Sequence, residues 1–244
     1  MFRKILIANR GEIAVRIIRA CKLLSIRTIV IYSYDDKNSM HVYLADEAIC
    51  IGKTKNSYLD INCIIETIKL TRADAVHPGY GFLSENAAFV KMVESIGVTF
   101  IGPNSRLIEK LGNKIASIKL AKINGLNILP SYLWSKSRKQ NDFSIKQLGY
   151  PFIMKAIYGG GGKGIRVINN EVDLNYKLPL SELESSLSYN HREIYIEKYL
   201  YNARHIEFQL ICDKKQVIVL NSRDCSVQDR KSTRLNSVTV RSRM

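Results

Sequence analysis

Between two apolar, β-branched runs, Pro151-Phe152-Ile153-Met154-Lys155-Ala156 and Ile165-Arg166-Val167-Ile168, the chain places Tyr158-Gly159-Gly160-Gly161-Gly162-Lys163-Gly164. Four consecutive glycines lose the most backbone entropy on folding and pack no side chain, so a purely structural turn would need only one or two. The flanks decide which glycine loop this is. Gly159, Gly161 and Gly164 satisfy G-x-G-x-x-G, but the dinucleotide fingerprint runs from its turn into a helix, and here a strand-forming run follows. The P-loop pattern fails too, because Lys163 is followed by Gly164 and not by a Ser or Thr that would offer magnesium a hydroxyl. What remains, besides a plain turn, is a flexible hairpin lid. Its backbone N–H groups can turn toward phosphate oxygens, with Lys155 and Lys163 supplying charge on either side.

At 244 residues, 46% of them hydrophobic, the chain has room for one large domain or two modest ones around a real core. Its apolar runs, such as Ile29-Val30-Ile31 and Val217-Ile218-Val219-Leu220, fall far short of the roughly 20 residues of a bilayer span, and no secretory segment precedes the strand that starts near Lys4. Cys21, Cys50, Cys63, Cys212 and Cys225 form no C-x-x-C pair and sit mostly in apolar runs. Buried thiols in a reducing compartment are expected, in the cytoplasm or an organelle matrix. The net charge of +15 invites a nucleic-acid reading, but residues 229–244 alone carry +4 and the rest is scattered. No helix-turn-helix, zinc or RNP signature accompanies it, so neither nucleic acid nor membrane is expected as a partner.

The first hundred residues alternate between strand and helix. Lys4 to Ala8 predicts a strand; Asn9-Arg10-Gly11 turns; Ile13, Ile17, Ala20 and Leu24 then recur at helical spacing. Thr28 to Tyr32 and Glu47 to Ile51 predict strands, Ile61 to Thr71 a helix, Ala75 to His77 and Thr99 to Gly102 strands around a helix from Ala87 to Ser95. Such alternation predicts a parallel sheet covered on both faces, with ligands approaching the carboxyl ends of its strands. Pro103 closes this region, and Lys114 to Asn124 is helical. Beyond Pro130 the style changes to hairpin strands at Phe152 to Ala156, Ile165 to Ile168, Ile194 to Lys198, His205 to Cys212 and Val217 to Leu220. Glu171 to Asn190 reads as a connector interrupted by Pro179, and Trp134 with Ser135 to Asn141 as a surface loop.

Ile7-Ala8-Asn9-Arg10-Gly11-Glu12-Ile13-Ala14, His77-Pro78-Gly79-Tyr80-Gly81-Phe82-Leu83-Ser84-Glu85-Asn86, the tetraglycine loop, Ile196-Glu197-Lys198-Tyr199-Leu200, Arg204-His205-Ile206-Glu207 and Arg223-Asp224-Cys225-Ser226-Val227-Gln228 follow one another along the chain. Together these strings resemble the biotin carboxylases, the ATP-grasp component shared by acetyl-, propionyl-, methylcrotonyl-CoA and pyruvate carboxylases. The resemblance covers about residues 1 to 228. It implies an α/β fold: a Rossmann-like pre-ATP-grasp domain over 1–103, then an incomplete α+β ATP-grasp domain with its glycine-rich lid over 104–228.

By the same resemblance, Lys114 and Lys155 contact ATP phosphates, Gly159, Gly160, Gly161, Gly162, Lys163 and Gly164 form the lid, and Glu197, Lys198 and Leu200 form the linker that holds adenine. His205 would lie on the ribose side and Gln228 lower in the same cleft. The two glycines within His77 to Gly81 mark that loop as a shaped turn more than a proton shuttle. Arg16 and Arg19, one turn apart, face solvent by default, though the resemblance puts their helix near a dimer contact.

Past Gln228 the family pattern stops. Residues 229–244, opening Asp229-Arg230-Lys231-Ser232-Thr233-Arg234, resemble translated sequencing-adapter read-through and are expected to be a disordered, non-family tail. The resemblance sets the magnesium carboxylates, the bicarbonate ligands and the base beyond that point, so no catalytic or metal residue is assigned and the chain alone is expected to be inactive. Mg2+ and biotin are cofactors of the complete enzyme, and a biotin carboxyl carrier domain, a carboxyltransferase component and a second copy are its partners. The alternatives are a non-catalytic nucleotide-binding or interaction fragment and another ATP-grasp ligase.

Overall fold

The computed structural model describes residues 2–135, 137–157, 165–189, 193–213 and 215–225. The chain divides into two compact units, Met1–Ser117 and Ile118–Met244. The glycine loop from Tyr158 to Gly164, Gln228 and the tail over 229–244 lie outside the described residues.

In the first unit the elements run β1 (Lys4–Ile7), α1 (Gly11–Leu23), β2 (Arg27–Ser33), α2 (Met40–Leu44), β3 (Glu47–Gly52), α3 (Ile61–Thr71), β4 (Ala75–His77), α4 (Ala87–Ser95), β5 (Thr99–Phe100) and α5 (Ser105–Gly112). α6 (Lys114–Ile123) begins in this unit. The five strands form one parallel sheet in the order β3-β2-β1-β4-β5. Side chains alternate across each strand. Ile5 and Ile7 therefore join Ile17, Ile18 and Cys21 of α1 on one face, while Leu6 and Ala8 join Ile64 and Ile68 of α3 and Phe89 of α4 on the other. The expected doubly covered parallel sheet is what forms. Helices α3, α4 and α5 start where a short polar side chain satisfies an orphan N–H: Asp60 Oδ1 accepts from Cys63 N at 3.0 Å, Asn86 Oδ1 from Phe89 N at 2.9 Å, and Asn104 Oδ1 from Leu107 N at 2.8 Å.

The second unit contains β6 (Ser131–Leu133), α7 (Arg138–Leu148), β7 (Phe152–Ala156), β8 (Arg166–Ile168), α8 (Glu171–Tyr189) and β9 (Ile194–Lys198). Its sheet is antiparallel, in the order β6-β9-β7-β8. Phe152, Met154, Ile168, Ile194 and Ile196 turn toward Leu148 of α7 and Leu174 of α8, so both helices cover the same face. A separate two-stranded ribbon pairs β10 (Ile206–Cys212) with β11 (Val217–Asp224). Phe208 and Val219, 62% and 60% exposed, show how little covers it.

Three expectations need correction. Glu171 to Tyr189 is one helix with Pro179 inside it. Proline removes a single N–H bond and crowds one carbonyl, and here both Pro179 and Asn175, whose carbonyl loses its donor, are exposed while Leu174 and Leu178 hold the helix to the sheet. The stretch after Trp134 is not a plain surface loop: Asn141 is buried, its Nδ2 donates to Ser135 O at 2.7 Å and its Oδ1 accepts from Ser135 N at 2.9 Å. That side chain fastens the entry of α7, and Trp134 packs against the core. Finally, all five thiols are free, but Cys50 and Cys212 are exposed, one on the edge strand β3 and one on the open ribbon.

Candidate functional site

Lys155 and Glu197 come together although 42 residues separate them. Antiparallel register sets Lys155 opposite Tyr195 and Ile153 opposite Glu197. Since Met154 and Ile196 point into the helix-covered core, Lys155, Tyr195 and Glu197 share the other face of the sheet. Lys155 Nζ donates to Glu197 Oε1 at 2.7 Å, with the two side chains only 20% and 14% exposed. The same ammonium lies 5.9 Å from the centre of the Tyr195 ring. Burial pushes the Tyr195 phenol well above its ordinary range, helped by the charge and hydrogen bond of Glu197, so it stays protonated and neutral at every physiological pH. This cluster stands at the end of the strand that leads into the glycine loop.

Lys198 points the opposite way. It pairs with Phe152 on the helix-covered face, and its Nζ donates to Leu148 O at 2.6 Å, neutralising the carboxyl end of α7. Its backbone N–H is taken as well, donating to Pro130 O at 3.0 Å. Glu197 and Lys198, adjacent in sequence, thus serve different sides of one strand. Leu200 is exposed beyond β9, and His205 precedes β10, where its carbonyl accepts from Cys225 N at 2.7 Å. Lys114 is half-buried at the start of α6, in the first unit, next to Asn113, whose Oδ1 accepts from Ala116 N at 3.0 Å. Gly159 to Gly164 and Gln228 lie outside the described residues. Tyr195 was not singled out from the sequence; its signal is the i, i+2 spacing to Glu197 on a strand.

In the first unit, strand order reverses between β1 and β4, which opens a crevice at their carboxyl ends. The loop after β4 is held there by its own polar groups. Asn9 is buried, and its Nδ2 donates to Pro78 O at 2.7 Å and Tyr80 O at 2.9 Å; His77 Nδ1 accepts from Gly79 N at 3.0 Å. Gly79 sits at φ +62°, and a Cβ there would lie 2.6 Å from Ile13 Cγ2. The shaped-turn expectation fits this geometry, with Asn9 as the anchor that sequence reasoning missed.

Beside that crevice, Asp36 is buried and gathers the Arg10 guanidinium, which binds both its oxygens, the Tyr58 hydroxyl at 2.9 Å and the Ser33 hydroxyl at 3.3 Å. The hydrogen bond from Arg10 leads in lowering its carboxyl to about 2, and the Tyr58 phenol is raised to about 12 chiefly by burial. Nearby His41 is fully buried, and burial lowers its imidazole below the ordinary range. Among the described residues no three His, Cys, Asp or Glu side chains converge as a metal-ligand set, and no helix is long and apolar enough to cross a membrane.

Comparison with known proteins gives a consistent result. The biotin carboxylase N-terminal domain model matches residues 1–108, and the model of the carbamoyl-phosphate synthase L chain ATP binding domain matches residues 113–240. The chain is 45% identical over 234 residues to biotin carboxylase 1 of Bacillus subtilis, covering 94% of this chain and 52% of that protein. It is 45% identical over 233 residues to the mitochondrial propionyl-CoA carboxylase alpha chain of Homo sapiens, with 94% and 32% covered. Among solved structures, the biotin carboxylase domain dimer of the Hydrogenobacter thermophilus 2-oxoglutarate carboxylase, in complex with MgADP, ADP and bicarbonate, superposes with a TM-score of 0.91 at 42% identity, covering 95% of this chain and 52% of that one. The Campylobacter jejuni biotin carboxylase complex with β-γ-ATP gives 0.89 at 39%, covering 94% and 52%. The chain therefore spans about half the length of the bacterial relatives it matches.

Proposed function

This chain belongs to the biotin carboxylase family, and on that premise we propose that it supplies the nucleotide-binding part of an ATP- and bicarbonate-dependent carboxylation of biotin. The observation that carries the proposal is the Lys155–Glu197 pair, 2.7 Å apart on the face of β7 and β9 that turns away from α7 and α8, at the end of the strand that precedes the glycine loop. A compact ammonium on a rigid strand suits a phosphate oxygen, and a carboxylate two positions beyond a neutral Tyr195 suits the amino edge of adenine. Lys114 is proposed as the second phosphate lysine. Glu197, the linker backbone to Leu200 and His205 are proposed on the adenine and ribose side, with Gly159 to Gly164 as the cover and Gln228 in the same cleft.

The donor set fits a nucleotide triphosphate. Among the described residues no three His, Cys, Asp or Glu side chains converge, and no magnesium ligand is proposed. When bound, the nucleotide supplies the phosphoryl group that activates bicarbonate. What these residues contribute is placement and charge compensation, the main requirements of phosphoryl transfer. The partners proposed are a carrier domain bearing biotin, a carboxyltransferase component and a second copy, in the cytoplasm or an organelle matrix.

The test is calorimetric titration of the chain with ATP and with GTP, repeated on Lys155→Ala and Glu197→Ala. Lys155→Ala should weaken ATP binding by about tenfold to a hundredfold, the worth of one hydrogen bond between charged groups. Glu197→Ala should erase the preference for ATP over GTP. Equal binding of both nucleotides by the unaltered chain, or an unaffected Lys155→Ala, would refute the assignment.

A further inference from the structure

On the helix-covered face of the second unit, away from the Lys155–Glu197 pair, α7 and α8 stand apart over the sheet and leave an open cavity of about 1180 Å³ between them. Its floor is apolar: Trp134, Ile145, Leu174, Leu178 and Ile194 line it. Among the described residues its rim is acidic, with Asp142, Glu171, Glu182 and Glu193 against Lys146. Elsewhere in this unit Asp173 is matched by Lys177, Glu184 by Arg166 and Glu197 by Lys155. Among the described residues none of the four rim carboxylates takes part in an ion pair. The charge of Glu171 is felt across the mouth, where, after burial, it helps raise the Tyr150 phenol.

We propose that this cavity docks a basic, apolar-anchored peptide segment of a partner protein, one whose aliphatic side chains enter between α7 and α8 while its lysines or arginines meet the acidic rim. An apolar floor with a rim of one charge is the anatomy of a peptide groove, in which burial supplies affinity and the rim selects the partner. The excess of negative charge among the described lining residues, on a chain that is +15 overall, commits the occupant to a cation and argues against nucleic acid or an anionic lipid surface. The cavity is also larger than a typical small-molecule pocket of about 300–1,000 Å³ and open along the helices, which suits several consecutive side chains.

The chain carries its own reporter, because Trp134 is its only tryptophan and lies in the floor. The probe is the peptide acetyl-Lys-Leu-Lys-Leu-Leu-Lys-amide, titrated into the chain while Trp134 emission is followed, at low and at raised ionic strength. Saturable binding with a blue shift of Trp134 is expected, weakened by salt. It should be weakened about tenfold in the triple variant Glu171→Gln, Glu182→Gln, Glu193→Gln, whose changes lie at the rim and leave the floor intact. The same peptide with alanine for leucine should not bind. No saturable change in Trp134, unaltered affinity in the triple variant, or equal binding of a peptide with glutamate for lysine would each overturn the proposal.

Discussion

Replacing Lys155 by methionine isolates one interaction whose geometry is known. Two unit charges 2.7 Å apart attract by about 6 kcal/mol at an effective dielectric of about 20, but both groups were dehydrated to form the pair. Exposed pairs contribute about 0–1 kcal/mol net, and breaking a fully buried one costs about 3–5 kcal/mol. With side chains 20% and 14% exposed, this pair lies between, so Lys155→Met should lower the stability of the second unit by about 1–3 kcal/mol. The loss is the isolation of Glu197, not the absence of an ammonium. Hence Lys155→Met with Glu197→Leu should recover at least half of it, a coupling of about 1–2 kcal/mol in a double-mutant cycle. Urea unfolding followed by the emission of Trp134 reports this unit alone, and the midpoint should fall by about 1 M. A double variant no more stable than the sum of its single changes would show that the two side chains are adjacent without being coupled.

In the first unit, stability should fall in two steps on acidification. Neutral His41 has a folded-state value below 6.5, so its contribution is complete above that pH and declines as the unfolded chain gains a proton; His41→Phe should flatten the pH 7 to 5 segment of a thermal-melting series. Asp36, held at about 2 against an ordinary 3.8, contributes about 2 kcal/mol above pH 4 that disappears as pH falls toward 2, and Asp36→Asn should remove that step. Gly79→Ala meets both a left-handed backbone and the Ile13 and Asn9 side chains, and should cost about 2 kcal/mol or more in chemical unfolding, whereas Gly97→Ala, with an open surround, should cost only its backbone strain. Tyr58→Phe should cost about 1–2 kcal/mol in the same assay by removing the hydroxyl that serves both Asp36 and Ser33 N.

Alternation of strand and helix was legible because each element of the first unit closes locally: the expected helices Ile61 to Thr71 and Ala87 to Ser95 and the strand Ala75 to His77 have those bounds in the structure. The strands Phe152 to Ala156 and Ile194 to Lys198 were legible through the apolar alternation of Phe152, Met154 and Ala156 and of Ile194 and Ile196 over a core. α8 was not, because proline's local preference points to a break while the contacts of Leu174 and Leu178 that override it lie elsewhere in sequence. α7, rich in Lys, Gln, Asn and Ser, hides its buried Asn141 and Ser144 among polar letters. At the site, the place of Lys155 beside the glycine loop and the family resemblance of Glu197 announced the two residues, but only register tells that they touch and that Lys198 faces away.

The place of β1 in its sheet governs how this chain must be made. Residues 4–7 are translated before the other four strands of this sheet yet become its middle strand, bonded on one side to residues 27–30 and on the other to residues 75–77. Until Val76 has left the ribosome, one edge of β1 offers unpaired N–H and C=O groups, and until Phe100 follows, β4 inherits that exposed edge. Within this sheet, β1 therefore waits longest for its second neighbour. Newly synthesised chains stalled between Ser33 and Ala75 should be the species most in need of a chaperone, and a released product ending there should aggregate where one ending beyond Phe100 does not.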